Sequence, residues 1–66
     1  MTDEDDGTHY KGHTIRITVS ISDGQWRWSY VLDGNSLHEM RGRGHPTEEL
    51  AIAEAQDDAR RRINTM

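Results

Sequence analysis

Four histidines, His9, His13, His38 and His45, are the first side chains that could do chemistry in this chain of 66 residues. Imidazoles bind zinc when two of them share a rigid face, most simply at i and i+4 on a helix. His9 and His13 have that spacing, but they lie where the chain enters a strand, and extended backbone does not converge them. His38 and His45 fall on a weak strand and in a glycine-rich loop. The pattern reads as surface histidines, with no metal and no cofactor expected. The sequence has no cysteine, which removes thiolate ligands, disulfides and thiol nucleophiles together. Ser20, Ser22, Ser29 and Ser36 lack the elbow motif that aims a nucleophile, and hydroxyls are ordinary on an exposed strand face. Glu48/Glu49 and Asp57/Asp58 are adjacent on a helical stretch, so each pair diverges. So thin a domain also leaves little room for a concave apolar pocket. The expectation is a chain that is not an enzyme.

Arginines carry the remaining chemistry. Arg41-Gly42-Arg43-Gly44-His45 sets two guanidiniums on a loop before a helix N-terminus, where an anion could be held, although Glu48 and Glu49 occupy the same first turn. Arg16 and Arg27 fall on one face of a sheet among Thr14, Thr18, Ser20, Ser29 and Val31, where arginines could meet phosphates. Single-strand binders add aromatics for base stacking on such a face; here the aromatics point to the other side. Arg60, Arg61 and Arg62 match the dipole at a helix C-terminus. Net charge is −4, and Asp3, Glu4, Asp5 and Asp6 supply four negative charges, which argues against nucleic acid for the whole chain. The first functional reading is therefore a non-enzymatic binding or protein-interaction module with an unidentified protein partner. The second is a weak nucleic-acid or anion binder through Arg16, Arg27, Arg41 and Arg43, the candidate interaction surface.

The elements that position these residues follow from periodicity. Two alternating runs flank Asp23-Gly24, the preferred pair for a type I′ hairpin. Pairing Ser22 with Gln25 and continuing to Ile15 with Leu32 places Ile15, Ile17, Val19, Ile21, Trp26, Trp28, Tyr30 and Leu32 on one face. A one-residue slip would destroy that match. The strands run from about His13 to Ser22 and from Gln25 to Leu32. Asp33-Gly34-Asn35 marks a second turn before a weaker third strand, Ser36 to Met40. A two-residue loop points Leu37 inward and a three-residue loop points His38 and Met40 inward; Leu37 is taken as the inward residue. Thr47 caps a helix from about Glu48 to Ile63 or Asn64, with Ile52, Ala55, Ala59 and Ile63 as its apolar stripe. Leu50 lies nearly opposite that stripe and is left partly exposed.

These elements define the expected fold class: α+β, a three-stranded antiparallel meander with one C-terminal helix packed on one face. Residues 1–8 read as a disordered acidic arm and residues 9–66 as a single ββ-β-α mini-domain. Trp28, mid-strand, should be more buried than Trp26 beside the turn. A chain this short buries only about 60% of its unfolded surface, so a partner subunit is a natural source of added stability. The first strand, long and with Arg16 as its only charge, is the expected edge for a homodimer. The acidic start is not a signal peptide, and no segment approaches the ~20 apolar residues that span a bilayer. A soluble cytoplasmic protein without membrane contact is expected.

The line Tyr10-Lys11-Gly12-His13-Thr14-Ile15, Asp23-Gly24-Gln25-Trp26, Ser29-Tyr30, Leu32-Asp33-Gly34 and Ala59-Arg60-Arg61-Arg62-Ile63 resembles a family of short uncharacterised bacterial proteins. The resemblance covers about residues 10 to 64. It implies a small three-stranded sheet with one C-terminal helix, and it transfers no activity and no functional residue.

Overall fold

A computed structural model describes residues 7–66. The central hairpin forms as its sequence dictates. Strand β2, His13–Ser22, pairs antiparallel with β3, Gln25–Leu32, in a register running from Ser22↔Gln25 to Ile15↔Leu32. Asp23 and Gly24 have φ of 54° and 75°, the left-handed pair that a two-residue turn needs if it is to follow the strands' twist.

The sheet has four strands, not three, in the order β1-β2-β3-β4. The added strand is β1, Gly7–Tyr10, which pairs with His13 to Arg16. Its turn is Lys11-Gly12, with Lys11 at φ 51°. Lysine has no short polar side chain to ease that conformation, and tertiary contacts hold it instead. Lys11 Nζ donates to Asn64 Oδ1 at 2.7 Å, Tyr10 OH donates to the same oxygen at 3.3 Å, and the Arg60 guanidinium lies over the Tyr10 ring. Of the expected acidic arm, residues 1–6 lie outside the described residues, while Gly7 and Thr8 open β1.

Strand β4, Ser36–Glu39, pairs with β3 through Leu32↔Ser36 and Tyr30↔His38. Asp33, Gly34 and Asn35 therefore make a three-residue loop, which reverses the expected facing of this strand. Leu37 points to the open face and is 61% exposed, whereas Met40 is 7% exposed in the core. Past Glu39 the chain keeps to the edge of β3: Met40 N donates to Trp28 O at 3.1 Å, and His45 and Trp26 exchange main-chain bonds of 2.7 Å each. Between those two points Arg41 to Gly44 bulge outward. Gly44 fits only because it lacks a side chain, since a Cβ there would stand 2.7 Å from Trp26 O and 2.8 Å from Gln25 Cβ.

Helix α1, Glu48–Asn64, starts at Thr47, whose side chain accepts from Leu50 N. It packs chiefly on β2 and β3. Its buried stripe is Ala51, Ala55, Ala59 and Ile63. Ala51 takes the place expected for Ile52, which is half-buried on the flank. Methyl-sized contacts at successive i+4 positions let the helix lie close over Trp28, Tyr30, Ile15 and Leu32, the large side chains of the core, so volume lost on the helix is supplied by the sheet. Trp28 is buried and Trp26 half-buried, in the expected order. Among the described residues no helix is long and apolar enough to cross a membrane.

Candidate functional site

The structure does not gather the four candidate arginines. Arg16 stands opposite Val31 and Arg27 opposite Ser20, a separation of four residues along the sheet, or about 13 Å. Arg27 turns to the bulge instead and donates to Gly42 O at 2.8 Å. Arg41 and Arg43 are exposed on that bulge, so three of the four share one corner and Arg16 stands apart. The face between them shows Thr18, Ser20 and Ser29 without an aromatic side chain.

A cleft of about 580 Å³ opens on the other side, between β4 and the helix, lined in part by His38, Met40, Arg41, Glu54, Asp58 and Arg62. Its polar groups serve the core first. Buried indoles and phenols need partners for their polar tips, and the helix flank supplies them. Trp28 Nε1 donates to Glu54 Oε1 at 2.8 Å, and His45 Nε2 meets the same oxygen at 2.5 Å. These two bonds hold the Glu54 carboxyl below the usual range, the indole bond first. Tyr30 OH donates to Asp58 Oδ2 at 2.5 Å and accepts from Arg62 Nε at 3.0 Å. Burial, and then the bond to Asp58, raises the Tyr30 phenol above its ordinary value.

One pair on β4 has the geometry of a hydroxyl and its base: Ser36 Oγ lies 3.0 Å from His38 Nε2, and His38 also lines the cleft. The His38 ring packs against Tyr30 with centroids 5.1 Å apart, and among the described residues no carboxylate bonds its other nitrogen. The Ser36–His38 contact ties together two side chains on the same face of β4, two residues apart. His13 likewise closes the sheet end, its Nδ1 2.7 Å from Asp33 Oδ2. That contact, with the Thr14 amide on Oδ1, lowers the Asp33 carboxyl. No group of metal-binding side chains occurs among the described residues.

The remaining feature is the outer edge of β2. Strand β1 reaches only to Arg16, and from Ile17 to Ser22 this edge has no strand partner among the described residues. Ile17 and Val19 are half-buried on its helix side, while Ile21 is 56% exposed. Not one residue from Ile17 to Ser22 is charged. An uncharged edge beside an uncovered isoleucine is a template for another strand.

The sequence takes the whole strand from His13 to Ser22 as an outer edge, but β1 covers it from His13 to Arg16; the sequence reading also missed the roles of Glu54, Asp58 and Arg62. The signal was present: two aromatics fated for burial, each with one polar atom, opposite polar residues at i, i+4 and i+8 on one helix flank. Compared with protein-family models, with curated proteins and with solved structures, the chain matches none.

Proposed function

We propose that the chain is a non-enzymatic protein-interaction module whose working surface is the edge of β2 from Ile17 to Ser22. The observation that carries this reading is the coincidence, at one place, of an edge without a strand partner among the described residues, an uncharged sequence and the exposed Ile21 side chain. Strand addition draws affinity from main-chain bonds and specificity from alternate side chains. Both are on offer here. The test compares immobilised wild-type chain with Ile21→Lys in native extract. The reading expects a protein, which could be the chain itself, to be retained by the first and lost by the second. Equal retention by both would refute it.

A second reading has its own observation. Arg27 fastens the bulge that carries the exposed Arg41 and Arg43. That corner could take an anion or a nucleic-acid backbone. Such binding falls steeply with salt. Titration with single-stranded RNA at rising salt tests it: no binding tighter than nonspecific at physiological salt is expected, and submicromolar affinity there would reverse the order of the two readings.

A further inference from the structure

We infer that the Asp23-Gly24 turn is a site of spontaneous isoaspartate formation, and that His13 and Thr14 shield the matching Asp33-Gly34 turn from the same reaction. The inference is independent of the interaction-module reading. Asp-Gly pairs are prone to this change because glycine brings no Cβ to obstruct its own amide nitrogen. Asp6-Gly7 is a third such pair, and Asp6 lies outside the described residues.

The reaction needs only the chain and water. The Gly24 amide nitrogen attacks the carboxyl carbon of Asp23. An N–C bond forms, the carboxyl C–OH bond breaks, and the hydroxyl leaves with the amide proton as water. The product is a succinimide ring, which water then opens at one of its two carbonyls. Cleavage of the new N–C bond restores aspartate. Cleavage of the original peptide N–C bond leaves isoaspartate, with the main chain running through the Asp23 side chain. No atom is gained or lost overall.

The two turns begin in the same main-chain conformation. Asp23 and Asp33 both have φ of 54°, and the glycines after them have φ of 75° and 77°. Both aspartates are exposed. What separates them is the carboxylate. Asp33 Oδ2 lies 2.7 Å from His13 Nδ1, and Oδ1 accepts from Thr14 N at 3.1 Å. Ring closure requires the carboxyl carbon to swing onto the glycine nitrogen, so both bonds must first break. Closure also expels the hydroxyl from the protonated acid, and the His13 contact, then the Thr14 amide, hold the Asp33 carboxyl below its ordinary range. Asp33 N is fastened as well, to Thr14 O at 2.8 Å. Among the described residues, the Asp23 carboxylate makes no hydrogen bond or ion pair.

The modified turn cannot keep its geometry. A two-residue loop matches the strands' twist through two left-handed residues, and isoaspartate inserts an extra main-chain carbon before Gly24. The pairs Ser22↔Gln25 and Ile21↔Trp26 adjoin that point and are the ones displaced. At Asp33-Gly34 the same event would strike the join between β3 and β4 and release His13. The bond that closes this end of the sheet therefore also guards it chemically.

The test incubates the full chain for weeks in warm neutral buffer, with a second sample in urea, and then maps tryptic peptides, whose aspartyl and isoaspartyl forms elute apart. Cleavage after Lys11, Arg16, Arg27 and Arg41 puts Asp6, Asp23 and Asp33 on separate peptides. Each rate is taken relative to the same aspartate's rate in urea, which removes the effect of sequence neighbours. In the folded chain isoaspartate should accumulate several times faster at Asp23 than at Asp33. His13→Ala, with its fold checked by circular dichroism, should raise the Asp33 rate several-fold and leave the Asp23 rate unchanged. Equal relative rates in the folded wild type, or a faster rate at Asp33, would overturn the inference. So would a folded His13→Ala chain in which Asp33 reacts no faster. Should His13→Ala fail to fold, both sites rise to their urea rates and the wild-type ratio alone decides.

Discussion

The indole nitrogen of Trp28 and the carboxylate of Glu54, 2.8 Å apart, join the middle of β3 to the middle of the helix. Trp28 is otherwise buried among apolar neighbours and stacks on Tyr30 with centroids 5.7 Å apart. Trp28→Ala removes both the ring and the bond. It should cost about 3–5 kcal/mol and leave so small a domain largely unfolded. Urea denaturation followed by far-UV circular dichroism reads the outcome; a cooperative variant with near-native stability would contradict this packing.

The same carboxylate makes stability fall in acid. Glu54 and Asp33 both have folded-state pKa values below their unfolded ones. Their contribution is therefore present above the unfolded values, about 4, and is lost as pH falls through the folded values. Urea midpoints measured from pH 7 downward should drop below about pH 4. Glu54→Gln should be less stable than wild type at pH 7, and the gap should close in acid, where the wild-type carboxyl is itself neutral.

Tyr30 works in the opposite direction. Its raised phenol pKa means that its contribution holds below the unfolded value of about 10 and is lost as pH rises through the folded one. Ultraviolet absorbance should show one phenol ionising late, together with unfolding. Tyr30→Phe should abolish that late step and cost about 1.5–3 kcal/mol at neutral pH, because Asp58 and Arg62 lose a shared partner.

The facing of β4 is tested by a pair of substitutions. Leu37→Thr changes an exposed side chain and should move stability by no more than about 0.5 kcal/mol. Met40→Ala opens the core and should cost about 2–5 kcal/mol. The reverse order in thermal denaturation would mean that Leu37 is the inward residue.

Gly44→Ala probes the bulge. The added methyl would meet Trp26 O and Gln25 Cβ at under 3 Å, so the main-chain exchange between Trp26 and His45 has to open. A loss of about 1–3 kcal/mol is expected, with faster hydrogen exchange at the Trp26 and His45 amides as its local sign.

How much of this was legible depended on whether local signals agreed. Register between β2 and β3 was readable because Asp23-Gly24 and the period-2 pattern point to the same pairing. β1 was not, since Gly7–Tyr10 shows no apolar alternation and its Lys11-Gly12 turn is held by Asn64, at the far end of the chain. The phase of β4 hinged on whether Asn35 belongs to the loop or the strand, which the residues alone leave open. On the helix, Ala51 and Ile52 compete for one stripe position, and only the close approach to the sheet selects the smaller. The four arginines looked alike in sequence. What separated them was the bulge, a tertiary feature fixed by the Trp26–His45 exchange.

The meander has a kinetic consequence. Each strand pairs with its neighbour in the chain, so no sheet contact waits on the closure of a long loop. Low contact order of this kind goes with fast folding. The Asp23-Gly24 hairpin, with the strongest turn and the longest ladder, is the natural nucleus. The helix, joined only after β4 and the bulge are laid down, is the element whose docking would complete the barrier crossing.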